Sequence, residues 1–148
     1  MLKRISILLL LSILAISCKK ESTDDFMTNT DILGISYGQL YSTSNGFSSI
    51  GIKITKDTLS FSVDSVVTKT TIIKSDILAD LKNKVNLIVF RNLEEVIGCP
   101  DCDGSGAEIL GIVTTSFSHE IKFEKGNEPE DLTNLVNDLR SRMMIYGN

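Results

Sequence analysis

Hydrophobic and polar positions divide this chain into stretches of different period. Residues 5–16 are apolar or serine with no period, and residues 19–30 are almost wholly polar. From Ile32 onwards apolar residues fall mostly on alternate positions, the pattern of strands buried on one face. Leu33, Ile35, Tyr37 and Tyr41 share one face of a first run, Ile50, Ile52 and Ile54 mark a second, and Leu59, Phe61 and Val63 a third. Asn45-Gly46 and Lys56-Asp57 separate these runs as turns, Asn-Gly being the stronger signal. A further β-rich run, Val66 to Ile73, continues or pairs with the third strand.

The period then changes. Ser75 is placed to cap a short helix, with Asp76 in its first turn and Ile77, Leu78, Leu81 and Val85 clustered on one side. The stretch from Asn86 to Gly98 fits neither template and reads as irregular. Strands return at Ala107 to Thr114 and His119 to Glu124. The chain closes with a helix for which Asn127 is the expected cap, Pro129 lies early and Glu130 holds the capping-box position. Its stripe is Leu132, Leu135, Val136, Leu139, Met143 and Tyr146, with Arg140 and Arg142 in the last turns and Gly147 as a stop. This order predicts an α+β domain over residues 31–148, an antiparallel sheet of about five strands with two helices packed on one face.

The beginning of the chain carries a different message. Lys3 and Arg4 precede the twelve-residue apolar run, which is too short to span a bilayer, and Ala15-Ile16-Ser17 leads into Cys18. This resembles a bacterial lipoprotein signal of residues 1–17, with Ala15 where leucine is usual. The resemblance implies that Cys18 becomes the acylated first mature residue. Acyl chains contribute about 0.8 kcal/mol per buried methylene, so lipid on Cys18 would anchor the protein to a membrane. Residues 18–30 would be a flexible tether. Lys19, Lys20, Glu21, Asp24 and Asp25 also resemble the lysine-then-acid signal that directs lipoproteins of the Bacteroidetes to the cell surface, with Ser22 and Thr23 interrupting the acids. The location expected is the cell envelope, on an outer-membrane lipoprotein facing the periplasm or the exterior.

Charge narrows the partners. Removal of residues 1–17 takes Lys3 and Arg4 from the 15 basic side chains and none of the 19 acidic ones, leaving a net charge of −6. Nucleic acid is not an expected partner of so acidic a chain.

The second chemical feature is Gly98-Cys99-Pro100-Asp101-Cys102-Asp103-Gly104-Ser105-Gly106-Ala107-Glu108. It resembles a motif of small Bacteroidetes lipoproteins of uncharacterised function, in which CPDC, a glycine-rich pair and Ala-Glu precede a β-hairpin and a C-terminal helix. The resemblance runs from about Phe90 to Met143. The chain departs from it at residues 103–106, where the family reads Ala-Asp-Gly-Gly, and it lacks an aromatic residue after Glu108. The family brings no known activity.

Four chemistries compete for this loop. A local disulfide between Cys99 and Cys102 suits an exported chain with two cysteines besides Cys18, with Pro100 setting the turn. Thiol-disulfide exchange needs a depressed thiol pKa, which Asp101, Asp103 and Glu108 oppose. Zinc usually needs four nitrogen or sulfur ligands, and His119 is the only histidine, on a strand face shared with Phe117, Ile121 and Phe123. Asp101-x-Asp103-x-Ser105-Gly106 copies the start of a calcium loop, but its twelfth position is Ile112 rather than glutamate. No cofactor or metal is expected. The leading functional reading is a non-enzymatic binding module that presents Pro100, Asp101, Asp103 and Glu108 to an envelope protein. A redox or hydrolytic envelope enzyme and an inhibitor or assembly accessory are the alternatives. For hydrolysis, Gly104-Ser105-Gly106 lacks nucleophile-elbow spacing.

Overall fold

The computed structural model describes residues 30–102 and 104–147. The expected signal, Cys18, the tether up to Asn29, and Asp103 lie outside the described residues. Seven strands form one sheet: β1 (Ile32–Thr43), β2 (Gly46–Ile54), β3 (Thr58–Val63), β4 (Val66–Ile72), β5 (Val96–Ile97), β6 (Ala107–Thr114) and β7 (Ser118–Glu124). Their order is β4-β3-β2-β1-β6-β7-β5. Every neighbouring pair is antiparallel except β5 with β7. The helices are α1 (Asp76–Lys82), α2 (Leu87–Arg91) and α3 (Thr133–Gly147), with a 3-10 turn at Glu130–Leu132 before the last.

The α+β class agrees with the sequence reading, but the count of about five antiparallel strands with two helices on one face does not. Among the described residues the sheet is mixed, with seven strands, and there are three α-helices. The run from Val66 pairs with β3 as a strand of its own through a tight turn at Asp64-Ser65, both at positive φ. Asp64 tolerates this because its carboxylate accepts from the Ser49 amide (2.8 Å) and the Ser48 hydroxyl (2.9 Å).

The stretch expected to be irregular holds both other surprises. Asn86 sits at φ −91°, ψ 100°, and its side chain accepts from the amides of Ile88 (3.1 Å) and Val89 (3.3 Å), starting the one-turn helix that buries Phe90. The chain then runs beside β7 for the two residues of β5. Ser75, by contrast, makes no side-chain cap bond to α1. Asn127 does not cap the last helix either. Its amide donates to Glu124 O at 3.0 Å in the turn after β7, and Pro129 precedes the 3-10 turn instead.

One alternation fails locally. A register shift between Ile32 and Gly34 adds a residue to β1 opposite β6, so Ile32 turns inward and Leu33 is left 50% exposed. Beyond it Ile35, Tyr37 and Gln39 face the core, whereas Ser36, Gly38 and Leu40 face away. The core joins this face of the sheet to Leu78 and Leu81 of α1, Phe90 of α2, and Leu135, Val136, Leu139 and Met143 of α3. The C-terminal stripe is therefore a core face, as expected. Ion pairs of Lys84 with Asp138 and of Arg142 with Asp80 (3.8 Å) tie α1 and the segment after it to α3, and Asp138 also pairs with Arg142 one turn on within α3 (2.6 Å). Among the described residues no helix is long and apolar enough to cross a membrane.

The two short helices differ in how they start, and that difference is measurable. Asn86→Ala removes two bonds to otherwise orphaned amides and is expected to destabilise the domain by about 1 kcal/mol, whereas Ser75→Ala should change stability by a few tenths at most. Urea unfolding of the two variants checks this; equal effects would contradict the capping assignment.

Candidate functional site

The Cys99–Cys102 loop leaves β5 through Gly98, at φ 72°, and reaches β6 through Gly106, at φ 93°. The two cysteines are bonded to each other, with Cα atoms 5.5 Å apart, and the Cys102 amide donates to Cys99 O at 3.1 Å. Gly106 is dictated by packing: a Cβ there would lie 2.3 Å from Leu40 O of β1. The loop is thus pressed against β1 at its base. At its tip Asp101, itself at φ 70°, receives the Ser42 hydroxyl at 3.4 Å.

Around that contact the structure brings Pro100, Asp101 and Cys102 together with Leu40, Phe47 and Lys122 about a shallow depression of about 440 Å³. Phe47, next to the β1–β2 turn, is 72% exposed. It follows Gly46 of the Asn-Gly turn, and β2 carries it out past the loop where no helix covers the sheet. Sequence periodicity placed neither Phe47 nor Lys122 near the cysteines, because their proximity depends on sheet order.

Glu108 does not belong to this surface. It lies in β6 opposite Gln39, on the core face, and is fully buried. Its Oε1 accepts from the Tyr37 hydroxyl (2.7 Å), Gln39 Nε2 (3.0 Å) and Arg140 Nε (3.2 Å), and its Oε2 from Arg140 Nη2 (2.7 Å). Arg140 Nη2 also reaches Glu128 at 3.1 Å, and Nη1 reaches Asn137 at 2.7 Å. Burial pushes the Glu108 carboxyl upwards, but the bonds from Arg140, Tyr37 and Gln39 outweigh it and hold the group below the ordinary range. The Tyr37 hydroxyl is raised, first by burial and then by its bond to Glu108. Arg140 is raised by Glu108 and remains a fixed cation. A carboxylate held ionised by four hydrogen bonds from three residues is a structural anchor, with no proton to exchange near neutral pH.

His119 sits opposite Ile112, half-buried, with Nε2 3.0 Å from Leu93 O and its ring edge-on to Phe90 at 5.3 Å. This is the core-edge position its strand face suggested. It lies five residues along β6 from the loop end, about 17 Å away at strand rise. Among the described residues no three His, Cys, Asp or Glu side chains converge in a way that could hold a metal.

Two predictions follow from this geometry. Arg140→Ala leaves Glu108 buried and uncompensated, so it should cost about 3–5 kcal/mol at pH 7. Because the native carboxyl is held below its unfolded value, the pair stabilises fully above about pH 4.3 and its contribution fades as the pH falls through the native value. The deficit of the variant should therefore narrow on acidification, and a pH-independent deficit in urea titrations would contradict the assignment. For the loop, the Cys99→Ser/Cys102→Ser variant should still fold and lose less than the ~3 kcal/mol of a 15-residue cross-link, a fall of a few degrees in Tm. Thiols of the native protein that alkylate without reduction would refute the bond.

No family model matches this chain, and no curated protein matches it.

Proposed function

We propose that this protein is a lipid-anchored, non-enzymatic binding module of the bacterial cell envelope, an outer-membrane lipoprotein that contacts an envelope protein through the Cys99–Cys102 loop and the β1–β2 turn. Acyl groups on Cys18 hold it at the membrane, and residues 19–30 give the domain reach. What supports the contact surface is the exposure of Phe47 beside a cross-linked, close-packed loop. An aromatic anchor next to a rigid rim is the arrangement that protein interfaces use at their centres. The cross-link and the Gly106 contact keep the loop in one shape, which lowers the ordering cost of association. Lys122 and Asp101 add one charge of each sign at the rim, where they favour orientation more than affinity.

The experiment is site-specific photo-cross-linking in intact envelopes of the source cell, with the photoreactive residue at Phe47 or, as control, at Lys56 in the turn at the opposite end of β2. The Phe47 probe should give a reproducible protein adduct that the Lys56 probe does not. In the same cells Cys18→Ser should abolish palmitate incorporation and release the protein from the membrane fraction. Equal adducts from both positions would refute the contact surface, and an acylated or membrane-retained Cys18→Ser variant would refute the anchor.

A further inference from the structure

The opposite, helix-covered side of the same sheet end contains a second opening. Between the strand ends of β1–β3 and the C-terminal half of α3 lies a cleft of about 760 Å³, a size ordinary for small-molecule sites. Its chemistry is segregated, and strand order is the reason. On the β1 side it meets Gln39, Tyr41, Arg140 and Lys125; on the β2 and β3 side it meets Ile50, Phe61, Val63 and Met143. The polar end is built around Glu108, whose hydrogen bonds fix Gln39 and Arg140, and Gln39 in turn receives the Tyr41 hydroxyl at 2.5 Å.

Two cations line that end, and one of them has no acidic partner among the described residues. Lys125 holds its ammonium 5.3 Å from the centre of the Tyr41 ring and forms no ion pair among the described residues. Arg140, bonded to Glu108 twice, to Glu128 and to Asn137, lines the same end and adds a second positive group there. The apolar end is closed by Gly147, where a Cβ would stand 2.8 Å from the Phe61 ring, and walled by methionine, which adapts to flexible chains.

We propose that this cleft binds a single-chain carboxylate amphiphile, its head at Lys125 and Arg140 and its tail along Ile50, Phe61, Val63 and Met143. A neutral chain would leave the ammonium without a counter-charge. A short carboxylate would leave the apolar wall wet. Only a molecule with both parts meets both ends, and the roughly 10 Å from β1 to β3 suits a medium-length tail. This site is separate from the loop surface, which lies on the other face of β1, so either can fail without the other.

The test uses a decanoate analogue with a diazirine in its tail, irradiated with the full-length protein in envelope membranes and mapped by mass spectrometry. Label is expected on peptides containing Val63 and Met143. Octanoate should compete, each methylene beyond butyrate improving competition about two- to fourfold, whereas 1-octanol should be weaker than octanoate by about fivefold. Lys125→Gln should erase that difference between octanoate and 1-octanol while leaving 1-octanol competition intact. Val63→Glu, at a position already partly exposed, should remove labelling with the Tm unchanged. Label that maps elsewhere, that butyrate displaces as well as octanoate, or that survives Val63→Glu overturns the proposal.

Discussion

The buried pair of Glu108 with Arg140 is the constraint on which the rest of this arrangement depends. A carboxylate with no solvent exposure is tolerable only if each lone pair finds a donor, since an ion moved out of water loses several kcal/mol of hydration. Here three residues from two elements supply the donors: Tyr37 and Gln39 from β1, and Arg140 from α3. Packing of Leu135, Val136 and Leu139 onto the sheet would tolerate sliding of the helix by part of a turn. A two-point guanidinium contact would not. The pair therefore fixes how far α3 runs across the sheet, and so where its C-terminal half parts from β2 and β3. Among the described residues no buried side-chain polar atom lacks a partner, so the network closes on itself.

How much of this was written locally can be judged residue by residue. Alternation in β1, β2, β3 and β7 is legible because one face is more buried than the other, and the α3 stripe is legible because fifteen residues give the helical period time to repeat. Leu33 departs from the expected face because the register shift between Ile32 and Gly34 has no signature in alternation itself. The β5 stub and α2 are too short for any period, yet Asn86 as an N-cap before an apolar run was a readable signal that the irregular assignment passed over. Ser75 carried the same type of signal and makes no cap bond, so a cap residue alone does not decide.

The site was legible in part. Cysteine parity and Pro100 pointed to the cross-link, and spacing sufficed because the partners are three residues apart. Glu108 adjoins the loop in sequence but shares its strand face with Leu110 and Ile112, and Ile109 and Val113 make the opposite face apolar as well, so alternation alone does not say which face is the core. Gln39 gave the same warning between Tyr37 and Tyr41: a polar residue on an apolar face implies a buried partner. Arg140 could not be named as that partner from the sequence, because the contact spans 32 residues and depends on where the helix crosses the sheet.

β1 links the two surfaces at this end of the molecule. Its alternate residues serve opposite faces, with Leu40 and Ser42 against the cross-linked loop, and Gln39 and Tyr41 in the cleft. The chain as a whole is acidic, so its long-range potential disfavours approach of an anion to either surface. At physiological ionic strength charges more than about 8 Å away are largely screened, which leaves the nearest groups to decide. The charged residues lining the cleft are Lys125 and Arg140, and the carboxylates of Glu108 and Glu128 are held by Arg140 rather than by Lys125. The charge that neutralises the buried glutamate thus keeps it from neutralising the lysine, so the network that orders the fold also leaves Lys125 over the Tyr41 ring with no ion pair among the described residues.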